Sequence, residues 1–531
     1  MKNKTKGIGF KNFRRFDSFP LLEFGDITYM VGRNNSGKST MVKALLLIMD
    51  YLQNQLGDTF SFDNEVLEDA NIVTFGRAKN NANNNPVISY DFVLNQFSFH
   101  IEISGDDETT EANVLVFVIE DITSGISLEI NYSKGEVIVS RNITDEIERI
   151  EESSIIKQLK KVIDSLKEEL EGVKDKKSKK TFKLQSDYSK AVAKLKDAKK
   201  ISNQITRGTT NNYKVSYSLD AIFGDQGFHK NEGNPLFYIV FRIIHLNEIN
   251  AKKKAKEVKP NKLEDVVALN LDKKTVFDSV NSIIASIGSE KYFYLGANPS
   301  KQSALFYLRD KQNALAQAIH KFYQLGITTK KDNIKELRFV KKWMDEFEVG
   351  YDLDITFVAG EAYDVKIYES EEKKEKEISS YLADKGMGSL QAMLLILRVA
   401  SLIKINKKEK KALTLLVEEP ELNLHPALQS KLTDFFHEVN KEYGFNFIVE
   451  THSEYMIRKT QLIALEQDYI KNQDINPNPF KIVYFHKEEG PYEMEFTEQG
   501  KFNKDFGPGF YDEAGSLTLK MIKELRKNQA Q

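Results

Sequence analysis

The stretch Gly32 to Ser39, GRNNSGKS, carries the clearest structural signal in this sequence. It fits the pattern G-x-x-x-x-G-K-[ST] in full, which is typical of a loop whose backbone N–H groups wrap a phosphate chain. It follows the apolar segment FGDITYMVG and precedes a run with apolar residues at helical spacing, so we predict a strand, a glycine-rich turn and a helix. The positive N-terminal end of that helix would face a bound phosphate. The stretch therefore predicts nucleotide binding in an α/β fold.

Each residue type in this loop has a physical role. Gly37 lets the backbone approach the phosphates closely, Lys38 reaches the β- and γ-phosphates, and the Ser39 hydroxyl is a ligand for Mg²⁺. ATP and Mg²⁺ are therefore the predicted cofactors. The residues predicted to contact the nucleotide here are Gly32, Asn34, Asn35, Ser36, Gly37, Lys38, Ser39 and Thr40.

A second apolar run ends in paired carboxylates, in LLVEEPELNLHP at 415–426. Taken alone, this pattern is typical of a buried strand that emerges into a charged loop. Phosphoryl transfer, however, needs one carboxylate near Mg²⁺ and another that orients and deprotonates the attacking water. We predict Glu418 as the metal-shell residue and Glu419 as the catalytic base. Such ATPases more often carry Asp before Glu, so Glu418 departs from the usual order.

Two further motifs lie in the same half of the sequence. FIVETHSEYMI places Thr451, His452 and Ser453 at the end of another apolar strand, where a lone histidine is usually structural. Beside the two motifs above, His452 is predicted to contact the γ-phosphate as a catalytic residue. DKGMGSLQ, at 384–391, is a glycine-containing turn that opens a helix and offers a second anion-binding N-terminus, although many helices begin in this way.

Composition narrows the class of protein. The 531 residues are long enough for about three or four domains, and 41% are hydrophobic. The net charge of −2 gives no overall attraction to nucleic acid, so a nucleic-acid surface would have to be a local patch. The absence of cysteine excludes disulfides and thiolate metal sites.

Signals for secretion or for a membrane span are not evident in the sequence. The start lacks the apolar segment of a secretory signal, and the run LQAMLLILRVASLI is broken by Arg398 and too short to span a bilayer. We expect a soluble, cytoplasmic protein.

The middle of the sequence has a different pattern. Apolar residues with alternating spacings of four and three form two short heptad seams, Leu159, Ile163, Leu166, Leu170 and Val173, then Leu184, Tyr188, Ala191, Leu195 and Ala198. Two such arms predict an antiparallel helical hairpin, or alternatively two amphipathic helices that lie on the body. The lysines between the seams form either a solvated turn or a docking surface for an acidic partner or nucleic acid.

Alternating strands and helices at both ends of the chain predict a parallel α/β core with an insertion. The predicted divisions are 1–143, the N-terminal half of the head with a β-rich lobe; 144–205, a coiled-coil hairpin; 206–290, a mixed or helical insertion; and 291–531, the C-terminal half.

In these motifs the chain resembles the ABC-type ATPases of the SMC, RecF and OLD (overcoming-lysogenization-defect) group. The matching elements are NFRRF, GRNNSGKST, GMGSLQ, EEPELNLHP and ETHSEY, spread over roughly 1–100 and 290–531. The resemblance implies an ABC-type P-loop ATPase head interrupted by a helical coiled-coil insertion. The turn GMGSLQ departs from the family's Leu-Ser-Gly-Gly-Gln signature, and no Q-loop glutamine is evident.

The resemblance also implies how the site is assembled. Gly388 and Ser389 would contact ATP across a head-to-head homodimer or higher oligomer, Arg14 would join the nucleotide contacts, and His452 would be the switch histidine. OLD-type nucleases carry a further Toprim domain, whose paired-acid pattern is not evident near the end of this sequence. The eight histidines do not cluster as a zinc or HNH nuclease would need.

Stand-alone ATPases of this layout resemble the ATPase subunits of bacterial antiphage systems of the PARIS, Septu and retron-associated types. That resemblance implies a sensor or scaffold that holds a separate toxin or nuclease effector. Two alternatives are a DNA-repair or recombination ATPase that clamps DNA, and a scaffold whose ATP site sets assembly with little turnover. Salt-sensitive DNA binding would favour the repair ATPase.

Overall fold

The computed structural model describes nearly three quarters of the chain. The described residues are 6–63, 72–123, 125–142, 163–169, 184–185, 188–190, 192, 212–219, 239, 273–296, 305–328, 333–472, 475–487, 489–507 and 510–529. The chain divides into two compact units. Unit 1 comprises Met1–Asn95, Ile103–Asn113 and Ile284–Gln531, and unit 2 comprises Gln96–Glu102 and Val114–Ile283.

Nineteen strands lie in the described residues. They are β1 Lys6–Phe13, β2 Phe16–Phe24, β3 Ile27–Gly32, β4 Thr59–Ser61, β5 Val87–Leu94, β6 Phe97–Ser104, β7 Glu111–Asp121, β8 Ile126–Asn131, β9 Glu136–Asn142, β10 Asn212–Ser218, β11 Glu290–Leu295, β12 Phe306–Tyr307, β13 Asp352–Val358, β14 Ala362–Tyr368, β15 Ser380–Tyr381, β16 Ala412–Glu418, β17 Asn446–Thr451, β18 Phe480–His486 and β19 Gly490–Met494.

The helices are named in the same way. They are α1 Lys38–Asp50, α2 Phe75–Ala78, α3 Lys273–Ser289, α4 Ala314–Gln324, α5 Ile334–Glu346, α6 Glu371–Glu375, α7 Met387–Glu409, α8 Pro426–Tyr443, α9 Glu454–Glu466 and α10 Glu513–Gln529. A π-helical turn, Tyr51–Gln55, continues α1, and a 3₁₀ turn, Leu382–Asp384, precedes α7.

A six-stranded sheet forms the centre of unit 1, in the order β11-β16-β17-β3-β18-β19. The first five strands are parallel, and β19 pairs antiparallel with β18. All six residues of β3 are buried, as expected for a central strand that is covered on both faces. The parallel α/β core predicted from the sequence is confirmed. Strand β18 carries the sequence KIVYFH, and β19 follows it as an edge strand.

The register of this sheet aligns the ends of its central strands. Glu418 at the end of β16 pairs with Glu450 of β17, and Glu450 pairs with Met30 of β3. The carboxyl ends of parallel strands are where open α/β sheets bind ligands. The two paired residues Glu418 and Glu450 also project from the same face of the sheet, because residues in register on parallel strands share an orientation.

Helix α7 is the main core helix of unit 1 and packs against α4 and α5. It is 23 residues long and apolar enough to cross a membrane by length and composition, but 72% of its most apolar 18-residue window is buried inside the protein. The expectation that this run is too short to span a bilayer was therefore wrong, because the helix continues well beyond the apolar run. Its burial against neighbouring helices accounts for its apolar composition.

Further antiparallel strand pairs complete unit 1. Strand β1 pairs with both β2 and β5. Strands β13 and β14, in the stretch DITFVAGEAYDVKIYE, form an antiparallel pair that turns at Gly360 with a φ of 73°. Helix α8 begins with His425 as its cap and Pro426 in its first turn, and it ends at Gly444, whose φ is 68°. The sequence LHP thus marks where α8 starts.

Unit 2 contains the antiparallel succession of β7, β8, β9 and β10. This arrangement belongs to the β-rich part expected from the sequence. The predicted hairpin at 144–205 falls largely outside the described residues, in which 163–169 and 188–190 are helical. The hairpin, its lysine-rich tip and the proposed domain divisions stay predictions.

Candidate functional site

The phosphate-loop sequence joins β3 directly to α1. Gly32 and Gly37 have φ values of 150° and 105°, conformations that side chains rarely adopt. A Cβ on Gly37 would meet the Phe16 ring at 2.2 Å, and one on Gly32 would meet the Phe485 carbonyl oxygen at 2.7 Å. Both glycines are therefore required by conformation and by close packing.

Lys38 is buried at the start of α1 and points back into the loop. Its Nζ donates to the carbonyl oxygens of Gly32 and Arg33 at 3.1 and 3.2 Å. It also lies 3.3 Å from His452 Nε2 and 3.6 Å from Glu450 Oε1. Burial lowers the pKa of Lys38, and the carboxylates of Glu450 and Glu419 oppose that shift. An ammonium held in this way is available to anionic phosphates.

Ser39 lies beside the same carboxylate. Its hydroxyl donates to Glu450 Oε2 at 2.7 Å. Glu450 is only 6% exposed, and burial raises its pKa while Lys38 and Ser39 act in the opposite direction. Glu450 thus contacts both of the loop side chains that the sequence assigns to phosphate and to Mg²⁺.

The paired glutamates at the end of β16 have different surroundings. Burial, with the nearby charge of Glu450, raises the pKa of Glu418 to about 7, and a hydrogen bond with Tyr294 opposes this. Oε1 of Glu418 is buried without a hydrogen-bond partner. Glu419 has a φ of 45°, and its N–H donates to the Glu450 carbonyl oxygen at 2.8 Å. Glu419 is thus the residue at which the chain leaves β16, in a left-handed conformation that is uncommon for a glutamate.

His452 follows β17 and lies between Glu419 and Lys38. Its Nε2 is 3.5 Å from Glu419 Oε1 as well as 3.3 Å from Lys38 Nζ. Burial and the Lys38 charge lower its pKa to about 4, so the imidazole is neutral at pH 7 and Nε2 accepts from the ammonium. The ligand atoms of Glu419, Glu450 and His452 all lie within 4.8 Å of one another.

Glu421 fixes the backbone at this histidine. Its Oε1 accepts from the His452 N–H at 2.6 Å, and burial raises the pKa of Glu421 to about 6. Ser453 caps α9 by accepting from the Met456 N–H, and its hydroxyl donates to Gln429. These contacts hold the turn from β17 into α9.

An open cleft of about 530 Å³ borders these groups. Its lining residues are Asn34, Glu419, Glu421, Leu422, Asn423, Gln429, His452 and Ser453. This volume is in the range of small-molecule sites. The cleft combines the phosphate loop, the loop after β16 and the turn after β17 at one edge of the sheet.

The other predicted loop residues have distinct positions. Asn35 has a φ of 60°, and Thr40 is buried in the first turn of α1. Ser36 is buried, and its hydroxyl oxygen has no hydrogen-bond partner. Arg14 has a φ of 51° in the turn between β1 and β2, its N–H donates to the Ala78 carbonyl oxygen at 2.7 Å, and burial with the nearby Arg77 charge lowers its pKa.

Gly388 and Ser389 lie in the first turn of α7. A Cβ on Gly388 would meet the Asn423 carbonyl oxygen at 2.6 Å, so α7 packs closely on the loop after β16. Neither Gly388 nor Ser389 is among the residues that line the cleft. The structure thus brings the phosphate loop, Glu419 and His452 together without adding the signature-like turn to the same cleft.

The donor set fits ATP and Mg²⁺. Oxygen ligands from a hydroxyl and carboxylates suit Mg²⁺, which prefers hard oxygen donors. The unpartnered oxygens of Ser36 and Glu418 are buried polar atoms whose hydrogen bonding is incomplete in the protein alone. Ser39, Glu450 and Glu418 could hold the metal, and Lys38 with the loop N–H groups could hold the phosphates.

Two residues of this site were not identified from the sequence. Glu450 and Glu421 occur inside the quoted motifs FIVETHSEYMI and EEPELNLHP, but neither was given a role. The sequence signal for Glu450 is a carboxylate two residues before the histidine at a strand end. Its contact with Ser39 depends on β17 lying between β16 and β3, which strand order alone reveals.

Comparison with known families identifies one match. The model of the family described as "AAA ATPase domain" matches residues 4–457, which include the phosphate loop, both glutamates and His452. Comparison with curated proteins finds no match.

Several solved structures are distantly similar. The Smc head domain of Pyrococcus furiosus, with an extended coiled coil and bound to the C-terminal domain of ScpA, is 12% identical with a TM-score of 0.32, covering 98% of this chain and 99% of that one. An SmcHead bound to the C-winged helix domain of ScpA is 10% identical with a TM-score of 0.34, covering 93% and 98%. The SMC head domain of Thermotoga maritima is 9% identical with a TM-score of 0.28, covering 90% and 94%. Scores this low decide neither the fold nor the partners of this chain.

Proposed function

The chain belongs to the AAA ATPase domain family, and from that premise we propose that it hydrolyses ATP with Mg²⁺ at the carboxyl edge of its central sheet. The observation that carries the proposal is the set of contacts that joins Lys38 and Ser39 of the phosphate loop to Glu450 and to His452, which with Glu419 lines the cleft. Two of these side chains come from the phosphate loop and the others from neighbouring strand ends. That set can bind phosphates, hold a metal and activate water.

Each residue has a proposed role. Lys38 neutralises the β- and γ-phosphates, and the N–H groups of the loop surround them. Ser39 and Glu418 hold Mg²⁺, which when bound neutralises charge on the phosphate oxygens. The other contacts to the nucleotide are proposed for Arg14, Gly32, Asn34, Asn35, Ser36, Gly37 and Thr40.

Glu419 is the proposed general base. Its carboxylate lines the open cleft, where water has access, while its backbone N–H is fixed by the Glu450 carbonyl oxygen. His452 is neutral at pH 7, so it can donate or accept a hydrogen bond at the γ-phosphate without adding charge. Glu421 positions His452 through the backbone and is not itself assigned to the reaction.

A second chain is proposed to complete the site. Gly388 and Ser389 open α7 but do not line the cleft, and the proposal is that the first turn of α7 faces the nucleotide of a partner copy. The support is this separation together with the resemblance of GMGSLQ to a signature turn. Heads would then dimerise around ATP.

Hydrolysis measured against protein concentration tests this proposal. Phosphate release from ATP with Mg²⁺ should require the metal, and the rate per chain should rise with concentration as dimers form. A constant rate per chain, from a preparation that stays monomeric with ATP, would contradict the shared site. No ATP binding in calorimetry would contradict the function as a whole.

The finer proposal is that this ATPase controls a separate effector, a toxin or nuclease, in defence against phage. Its support is the resemblance of the motifs to stand-alone ATPase subunits of such systems. Purification from the native host tests it, because a stoichiometric partner released by ATP turnover is expected. Salt-sensitive binding to DNA without a protein partner would favour the DNA-clamping alternative instead.

A further inference from the structure

Glu450 forms contacts that the proposed roles do not explain. One carboxylate oxygen accepts from the Ser39 hydroxyl at 2.7 Å, and the other is 3.6 Å from Lys38 Nζ. A buried carboxylate is costly unless cations or hydrogen-bond donors compensate it. Here both compensating groups are side chains that the phosphate loop supplies for a nucleotide and its metal. Glu450 therefore lies beside the position that a metal bound by the Ser39 hydroxyl would occupy.

The fold holds Glu450 rigidly in this position. It lies one residue before the end of β17, between β16 and β3, and it is paired in register with Glu418 on one side and Met30 on the other. Its side chain is 6% exposed. The strand that carries it runs directly beside the one that leads into the phosphate loop. A residue on a central strand is held more precisely than one on a mobile loop.

The distance between Glu450 and Ser39 suits a shared Mg²⁺ ion. Mg²⁺ binds oxygen ligands at about 2.1 Å in an octahedron, so neighbouring ligand oxygens are about 3.0 Å apart. The two oxygens here are 2.7 Å apart, close to that edge length. A metal on the Ser39 hydroxyl could thus reach Glu450 with a small adjustment. No Q-loop glutamine is evident in the sequence to supply such a ligand.

We propose that Glu450 is a Mg²⁺ ligand of the nucleotide site and makes ATP binding depend on the metal. With Mg²⁺ bound, the carboxylate is neutralised and Lys38 is released to the phosphates. Without the metal, the same carboxylate repels the phosphates and keeps its contacts with Lys38 and Ser39. The inference rests on the proposed ATPase function. It adds Glu450 as a ligand of Mg²⁺ and adds the requirement that Mg²⁺ be present for tight ATP binding.

Nucleotide affinity of the Glu450→Gln variant, with Mg²⁺ and with a chelator, tests the inference. Glutamine keeps the size of the side chain and removes its charge. The ratio of the two ATP affinities in calorimetry should fall by at least about 10-fold from the native ratio, since loss of a group that supports a bound metal typically costs about 10- to 100-fold in metal affinity. Affinity without Mg²⁺ should stay equal or rise. A purely structural role would lower both affinities together.

Two further variants keep the test decisive. Glu450→Asp retains the charge on a shorter side chain and should recover part of the Mg²⁺ dependence. Glu493, on edge strand β19 of the same sheet, pairs with Lys481 of β18, so Glu493→Gln is the matched control and should keep the native ratio. Binding of Mn²⁺ with ADP, followed by electron paramagnetic resonance, gives a readout independent of turnover and should weaken in Glu450→Gln.

The outcomes separate the inference from the proposed function. Suppose that the native protein binds MgATP and that Glu450→Gln keeps the native ratio of ATP affinities with and without Mg²⁺, with unchanged Mn²⁺ binding. That result overturns the metal role of Glu450 but leaves the proposed function standing. A native protein that does not bind MgATP overturns both. If Glu450→Gln does not fold, Glu450→Asp decides the question. Its Mg²⁺ dependence of ATP binding should lie measurably below the native value. An Mg²⁺ dependence equal to that of the native protein would count against the inference.

Discussion

The carboxyl edge of the central sheet and the first turn of α7 carry the two predicted parts of the ATP site, but they differ in how they are held. At the sheet edge Lys38, Ser39, Glu450 and His452 form a connected set of contacts. Gly388, in the first turn of α7, packs on the Asn423 carbonyl oxygen and does not line the cleft. The first part is organised by contacts within a single chain, and the second is the part that the proposal assigns to a second chain.

The loop after β16 connects these two regions. It begins with Glu419, whose carboxylate lines the cleft, and it contains Asn423, which lines the cleft and also contacts the first turn of α7. Glu419 and Asn423 both have positive φ values, 45° and 64°. A loop with two residues in this unfavourable conformation is held by its neighbours. A change at either end would therefore alter the same short segment.

The largest expected effect is at the sheet edge. Lys38→Ala should abolish ATP hydrolysis and reduce nucleotide affinity on the order of 10- to 100-fold, because it removes a charged hydrogen-bond donor to the phosphates. It also leaves the buried carboxylate of Glu450 without its lysine. Calorimetry with ATP and Mg²⁺, together with a phosphate-release assay, measures both losses.

A matched lysine controls for the loss of charge. Lys342 on α5 pairs with Glu438 at the surface, so Lys342→Ala should leave ATP binding and hydrolysis unchanged. Full-strength ATP binding by Lys38→Ala would show that the sheet edge is not where the phosphates bind.

The next effect separates the two adjacent glutamates. Glu419→Gln should keep ATP binding and dimerisation but lose turnover by about 10²-fold or more, as expected for removal of a general base. Glu418→Gln should instead weaken the dependence of turnover on Mg²⁺ concentration. Single-turnover hydrolysis across a Mg²⁺ titration measures both. Normal turnover by Glu419→Gln beside an inactive Glu418→Gln would mean that the two roles are exchanged.

The two regions also differ in how far the sequence predicts them. The phosphate loop is a continuous stretch whose glycines are required by local conformation, so its pattern predicts both structure and position. The same holds for α8, because the cap at His425 and the proline after it are local signals. Glu450 could not be assigned in this way, since its contact with Ser39 depends on strand order between distant segments. The apolar run LQAMLLILRVASLI was judged too short to span a bilayer, but α7 continues beyond it through polar residues to Glu409.

A smaller and conditional effect is expected at the first turn of α7. Ser389→Arg should keep ATP binding by a single chain but block hydrolysis, because a bulky cation would stand where a partner's γ-phosphate lies. Mixing it with Lys38→Ala sharpens the comparison of the two regions. In a mixed dimer one site combines the intact phosphate loop of one chain with the intact turn of the other.

Hydrolysis should therefore return in an equal mixture, to about a quarter of the native rate if the chains associate freely, because about half of the dimers are mixed and each mixed dimer has one of its two sites intact. The control is each variant at the same total concentration, where no activity is expected. No recovery in a mixture shown by mass measurement to contain mixed dimers would contradict the shared site.

The smallest effect concerns the turn that holds His452. Ser453 accepts from the Met456 N–H at the start of α9 and donates to Gln429. Ser453→Ala should lower the free energy of unfolding by about 1 kcal/mol through loss of the cap. ATP affinity should change by less than about 3-fold, because Glu421 still holds the His452 N–H.

The matched control is Ser430→Ala on α8. The Ser430 hydroxyl donates to the Ala427 carbonyl oxygen within its own helix, so its loss should be nearly neutral. Hydrogen exchange in the first turn of α9 measures the local effect, and urea unfolding measures the global one. A large loss of ATP affinity in Ser453→Ala with unchanged hydrogen exchange in α9 would mean that Ser453 contacts the nucleotide itself. The nucleotide site at the sheet edge would then include Ser453 as well as His452.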